Sequence, residues 1–232
     1  MIELHEFAPA WGINPSPFCI KVEAYLGLAG ISYKPVVTLP FQAPRGKLPF
    51  IVEGGRRIAD SSHIIDHLRQ SIAVDLDAGL DERQHALGHL LRRCCEESLY
   101  FVLLYARWID AAGWTAMRPI VSAALPPGLR ALILPVIRRG VRKTLHAQGY
   151  GRHTRDEIYA LGAADLTVIA AVIAGRDFAV ADRPTSFDAV LYAFLASILR
   201  PPIETPLKQA ALQHPALAEY VTRIERVLAP PR

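Results

Sequence analysis

The strongest constraint on how this chain folds is a change of pattern near residue 75. Before it, the elements are short and punctuated. Ile2–Phe7 alternates like a strand, and Phe18, Val22, Tyr25, Leu26 and Ala29 recur at helical spacing until Gly30 stops them. Ile31–Val37 is β-branched and strand-like. Phe50–Val52 and Arg56–Ile58, parted by Gly54-Gly55, read as a hairpin, and Ser61–Gln70 as a helix with Ile64, Ile65 and Leu68 inward. Beyond residue 80 the strand signal disappears. Glu82–Ala112, Leu129–Ala147, Thr154–Ala174, Thr185–Leu199 and Pro215–Leu228 read as helices, with breaks at Pro126-Pro127, Gly149–Gly151, Arg183-Pro184 and Pro201-Pro202. A small α/β unit with four strands (1–75) therefore precedes a larger all-helical one (80–232), joined near Asp75–Gly79.

With 232 residues, 51% of them hydrophobic, the chain can bury such a core without disulfide staples. A charged fraction of 21% excludes wholesale disorder. Uncharged runs such as Pro119–Leu129 and Ala189–Leu199 hold 11 residues, short of the roughly 18 that a membrane-spanning helix needs. The three cysteines, Cys19, Cys94 and Cys95, form no CxxC or Cys/His zinc spacing, which fits a reducing compartment and no metal site. The opening MIELHEF lacks a basic-then-apolar export signal, and the closing Ala229-Pro-Pro-Arg232 lacks an apolar tail; a cytoplasmic protein is expected.

The net charge of +4 is local. Residues 1–78 carry 7 basic and 8 acidic side chains, whereas 111–155 carry 8 basic and none acidic. One reading makes Arg138, Arg139, Arg142 and Lys143 the wet face of a helix that buries Leu132, Ile133, Val136 and Ile137. The other makes 111–155 a weak contact for an anionic partner or membrane surface. The stretch has neither interleaved aromatics nor a nucleic-acid reading motif, so no nucleic-acid partner is expected.

Three short motifs can carry chemistry. In Asn14-Pro15-Ser16-Pro17-Phe18-Cys19, Ser16 is a good N-cap and Pro17 suits the first helical position. A helix N-terminus stabilises an anion or thiolate; equally, Ser16 is only a cap and Cys19 a small buried residue. With sulfur at the second position alone, no dithiol cycle can run within the motif. In Gly46-Lys47-Leu48-Pro49-Phe50-Ile51, a proline opening a strand suits a cis turn that leaves the Leu48 backbone free for a ligand, or an ordinary trans start. In Asp60-Ser61-Ser62, Ser61 can hold a carboxylate and Asp60 an ammonium, or the pair simply caps a helix.

Together, these motifs resemble the glutathione site of a thioredoxin-like N-terminal domain in the glutathione transferases. Pro184-Thr185-Ser186-Phe187-Asp188 is similar to the capping box of that fold's buried sixth helix. More narrowly, SPFCIKVEAYLGLAGI, GKLPFI, IADSSHII, LYARW and the stretch from GYGRHTRDEIYALGAADL to DRPTSFDA resemble the branch that holds the failed-axon-connections protein and the metaxins.

The resemblance implies a thioredoxin-like α/β domain, an all-α domain after it, and glutathione as cosubstrate with no metal. Asp60 and Ser61 would hold the γ-glutamyl group, the Leu48 backbone before Pro49 the cysteinyl group, and Lys47 the glycyl carboxylate. Ser16 would donate to the sulfur and lower its pKa for attack on a small electrophile. Cys19 is the rival, by mixed-disulfide exchange as a thiol oxidoreductase. Tyr105 and Trp108, from the stripe Tyr100, Phe101, Leu104, Tyr105 and Trp108, would wall the electrophile pocket with Trp11. Homodimerisation is implied as well. The branch also implies an alternative, a non-catalytic interaction protein of metaxin type.

Overall fold

Strand β1 (Ile2–Glu6) buries Ile2, Leu4 and Glu6 and leaves Glu3 and His5 partly open, the alternation that a pleated strand imposes. A computed structural model, which describes residues 1–72 and 74–229, places β1 inside a four-stranded sheet. The sheet order is β2-β1-β3-β4, where β2 is Tyr33–Val37, β3 Phe50–Glu53 and β4 Arg56–Ala59. β1 pairs parallel with β2 (Ile2 opposite Tyr33) and antiparallel with β3 (Leu4 opposite Ile51), and β3 pairs antiparallel with β4. Helix α1 (Pro17–Leu28) supplies the crossover from β1 to β2, and α2 (Ser61–Ser71) follows β4. This is the expected thioredoxin-like order.

The helical part comprises α3 (Glu82–Arg93), a π-helical turn Cys94–Leu99, α4 (Tyr100–Trp108), α5 (Ala111–Ala123), α6 (Arg130–Gln148), α7 (Arg155–Ile173), α8 (Ser186–Leu199), α9 (Pro206–Leu212) and α10 (Pro215–Leu228). Every residue of α8 is buried; a helix apolar all round belongs at the centre. It packs along α1, with Phe18 set edge-on to Phe194 at 5.6 Å. One core therefore runs from the sheet through α1 and α8 to α10. Among the described residues no helix is long and apolar enough to cross a membrane.

Three features differ from the sequence reading. The expected helix Glu82–Ala112 breaks at Ile109, because the Asp110 carboxylate accepts the Ala112 N–H and starts α5. Gly113 then lets α5 cross tightly over α4: a Cβ there would lie 1.8 Å from the Ala106 carbonyl oxygen. Helix α9, capped by Thr205 and opened by Pro206, is additional. On α6, Leu132 and Val136 are not buried but 70% and 68% exposed, and Ile133 and Ile137 are half-buried. The buried residue of α6 is Leu145, and half-buried Arg138 reaches back to the Trp108 and Ile109 carbonyls.

Candidate functional site

The first turn of α1 is built from the loop before it. Asn14 is buried, and its amide donates to Glu6 Oε2 (3.3 Å), the Phe7 carbonyl (3.1 Å) and Glu23 Oε1 (3.3 Å), while its Oδ1 accepts the Ser16 N–H (3.1 Å). Ser16 is thereby fixed as N-cap, its hydroxyl accepting from the Cys19 N–H at 3.4 Å. No acidic residue occupies the first turn of α1. Burial raises the Glu6 carboxyl to about 9, helped by Glu23, so this group beneath the loop stays neutral at pH 7.

From the helical side, Arg107 reaches the same loop. It is buried and donates through Nη1 to the Pro15 carbonyl and through Nη2 to the Ser197 carbonyl at 2.6 Å. Burial lowers its pKa to about 10, which leaves it charged at neutral pH. A fixed positive charge thus stands one residue from Ser16.

The other two motifs converge on this turn. The Leu48-Pro49 peptide is cis, and Leu48 packs with Cys19, Ala43 and Phe50. Neither backbone group of Leu48 has a hydrogen bond among the described residues. Phe50 pairs with Ala59, so Asp60 and Ser61 emerge beside Pro49. Asp60, at φ +84°, caps α2 through Oδ1, taking the Ser62 N–H (2.9 Å) and the His63 N–H (3.5 Å). Its Oδ2 has no partner among the described residues. Ser61 is buried, and its hydroxyl accepts from Lys21 Nζ at 3.2 Å, which leaves its own proton free to donate outward. Lys21 is itself buried and also bonds Ser62 Oγ (2.9 Å) and Glu96 Oε1 (2.6 Å) on the π-helical turn. Lys47 is exposed next to Leu48.

Ser16, Leu48, Pro49, Asp60 and Ser61 are therefore brought together, with Lys47 at the rim. Cys19 does not suit a nucleophile. It has no exposed surface, and burial drives its thiol well above the usual range, with the Ser16 hydroxyl pulling the other way more weakly. The aromatic wall is not assembled as expected. Tyr105 packs edge-on against Tyr159 of α7 (5.9 Å), and Trp108 lies against Trp114 of α5 (5.9 Å). Trp11 sits at φ +55° in the turn closed by Ala10 and Ile13. From α4, the side chains that reach the start of α1 are Arg107, at the Pro15 carbonyl, and Tyr100, edge-on to Phe18 at 5.0 Å.

Asn14, Lys21 and Glu96 were not singled out from sequence. Lys21 carried a signal: it falls between Phe18 and Tyr25 on the inward face of α1, where a lysine requires a buried partner. Among the described residues no group of His, Cys, Asp and Glu is placed to hold a metal.

The chain matches family models for a glutathione S-transferase N-terminal domain (residues 17–113) and a glutathione S-transferase C-terminal domain (162–224). It is 32% identical to the isoprene-epoxide–glutathione S-transferase of Rhodococcus sp. (strain AD45), over 97% of this chain and 98% of that protein. It is 30% identical to failed axon connections of Drosophila melanogaster over 90% of this chain, spanning about half (53%) of that relative, and 27% identical to mouse (Mus musculus) metaxin-1 over 99% of this chain and 75% of that one. Among solved structures, a glutathione S-transferase from Methylobacterium radiotolerans in complex with glutathione sulfonate aligns with TM-score 0.58 and 19% identity, covering 97% of this chain and 90% of that one.

Proposed function

The chain belongs to the glutathione S-transferase family, and from that premise we propose that it binds glutathione with the sulfur at the N-terminus of α1 and activates the thiol there. The Leu48 backbone takes the cysteinyl group, Asp60 Oδ2 the glutamyl ammonium, Ser61 the glutamyl carboxylate and Lys47 the glycyl carboxylate. Ser16 donates its hydroxyl proton to the thiolate, while the helix dipole and Arg107 add positive potential. The observation that carries this reading is the convergence of Ser16, the unpaired Leu48 backbone and the Asp60–Ser61 corner on a helix end with no carboxylate in its first turn.

The chemistry then needs neither metal nor general base. The glutathione thiol releases its proton to water, the thiolate attacks an epoxide carbon, a carbon–sulfur bond forms as the ring carbon–oxygen bond breaks, and the freed oxygen takes a proton from water. A small epoxide is the first electrophile to try, since the Rhodococcus relative's name couples such a substrate to glutathione. Homodimerisation, cytoplasmic residence and a domain boundary at residues 75–80 are parts of the same proposal.

Retention on immobilised glutathione and a thermal upshift with glutathione are the expected results. Ser16→Ala should keep binding and lower kcat with a small epoxide about a hundredfold or more, while Cys19→Ser keeps activity. Absence of both retention and thermal shift would overturn this reading. It would favour the second, an interaction protein on the same fold, which the similarity to metaxin-1 and failed axon connections supports.

A further inference from the structure

Away from the glutathione site, α5 and α6 enclose a cleft of about 1230 Å³. It is lined by Arg118, Arg130, Arg138, Arg139, Arg142 and Lys143. Among the described residues none of these six forms an ion pair, and no acidic residue lies in the sequence from 111 to 155. The nearest acidic residue in sequence, Asp110, is already bound by Arg155 Nε (2.9 Å) and Tyr159 Oη (2.9 Å). Gathering six cations without counter-charge raises the energy of the free protein, and an anionic surface relieves it.

The cluster is ordered by the fold. Arg138 donates through Nε to the Trp108 carbonyl (2.9 Å) and through Nη2 to the Ile109 carbonyl (3.0 Å), with its guanidinium 4.9 Å above the Trp114 ring. Arg130 Nε is tied to the Leu125 carbonyl (3.2 Å). Arg139, Arg142 and Lys143 are exposed.

The exposed apolar residues decide which anion fits. Leu132, Val136, Arg139 and Lys143 follow one another at helical spacing along one face of α6. Leu132 and Val136 stand 70% and 68% in solvent, and Leu129, just before the helix, 47%. A soluble polyanion has no use for such side chains. A bilayer has: aliphatic groups enter the headgroup–acyl boundary while neighbouring Arg and Lys side chains stay at the level of the phosphates. We propose that the α5–α6 lobe docks on an anionic membrane surface, with Leu129, Leu132 and Val136 dipping in and the cleft cations binding lipid phosphates. This is peripheral binding by a protein whose described helices do not span a bilayer.

The test is co-sedimentation of the full chain with vesicles of phosphatidylcholine alone or mixed two to one with phosphatidylglycerol. Pelleting is expected only with the mixed vesicles, and it should weaken as salt rises. The triple variant Arg139→Glu/Arg142→Glu/Lys143→Glu should lower partitioning about tenfold or more. The charge-neutral variant Leu132→Gln/Val136→Gln should lower it several-fold while leaving retention on heparin unchanged. All five side chains are exposed, so circular dichroism and the melting temperature should match the parent protein. No pelleting with mixed vesicles, or no loss on charge reversal, overturns the proposal. So does binding that ignores Leu132→Gln/Val136→Gln, which marks a site for soluble polyanions. Complete competition by inorganic phosphate at constant ionic strength would also overturn it, since a free phosphate would then suffice.

Discussion

Two helix N-termini in this protein are built from similar residues and serve different ends. At α8, the Thr185 N–H (2.8 Å) and hydroxyl (2.7 Å) both donate to Asp188 Oδ2, and the Ala179 N–H (2.7 Å) and Tyr220 hydroxyl (2.6 Å) to Asp188 Oδ1. Asp77 takes the Ser186 N–H (2.8 Å) and hydroxyl (2.6 Å). Two buried carboxylates thus take the Thr185 and Ser186 donors and answer the positive potential of that end with negative charge of the protein's own. At α1, Ser16 is also a cap, but its neighbours are prolines, an amide and a buried guanidinium, with no carboxylate in the first turn. A helix end answered by the protein's own carboxylates is architecture; one with none in its first turn is a place for an anion.

Asp188→Ala should break the closed end most severely. It strands four donors in the core, at about 1–3 kcal/mol for each that finds no water. Urea denaturation should show a loss of at least about 3 kcal/mol on that scale. Asp77→Asn removes charge but keeps an acceptor for Ser186, so a loss of about 1–2 kcal/mol is expected. If either substitution left stability unchanged, the contrast between the two ends would lose its energetic basis.

The open end predicts a pH effect. Glu6, under the α1 loop, is raised from 4.5 to about 9. The folded state therefore keeps a proton that the unfolded chain releases, and stability falls as pH rises from about 4.5 through 9. Glu6→Gln should lose much of this slope, so its melting temperature relative to the parent rises with pH. Equal pH profiles for the two proteins would show that the carboxyl beneath the loop is charged, and the α1 end less positive than described.

Most of the fold was legible in sequence because each signal was local. Gly30 after a helical run, Gly54-Gly55 between apolar triplets, and Thr185 followed by Asp188 each name one turn or cap. The Ser16 cap and the Asp60–Ser61 corner were legible for the same reason. What escaped depended on partners far along the chain. Asp110 looks like one polar residue inside a long helix until its carboxylate meets Ala112, Arg155 and Tyr159. Arg107 sits in an apolar stripe, and its loop partner at Pro15 lies 92 residues away. The same stripe suggested Tyr105 and Trp108 as pocket walls, since helical spacing says which residues share a face but not which neighbour that face meets. Leu132 and Val136 were misread in the converse way: their spacing is that of a buried face, but among the described residues nothing packs over it.

The central claim is that the open end of α1 stabilises a thiolate through Ser16. Thiolate absorbance of glutathione bound to the protein, followed across pH, measures this directly. The bound thiol should titrate below the free range near 8.5, and in Ser16→Ala, with glutathione still bound, it should move back toward that range. A bound thiol that titrates like free glutathione in the parent protein, or identically in parent and Ser16→Ala, would contradict the assignment.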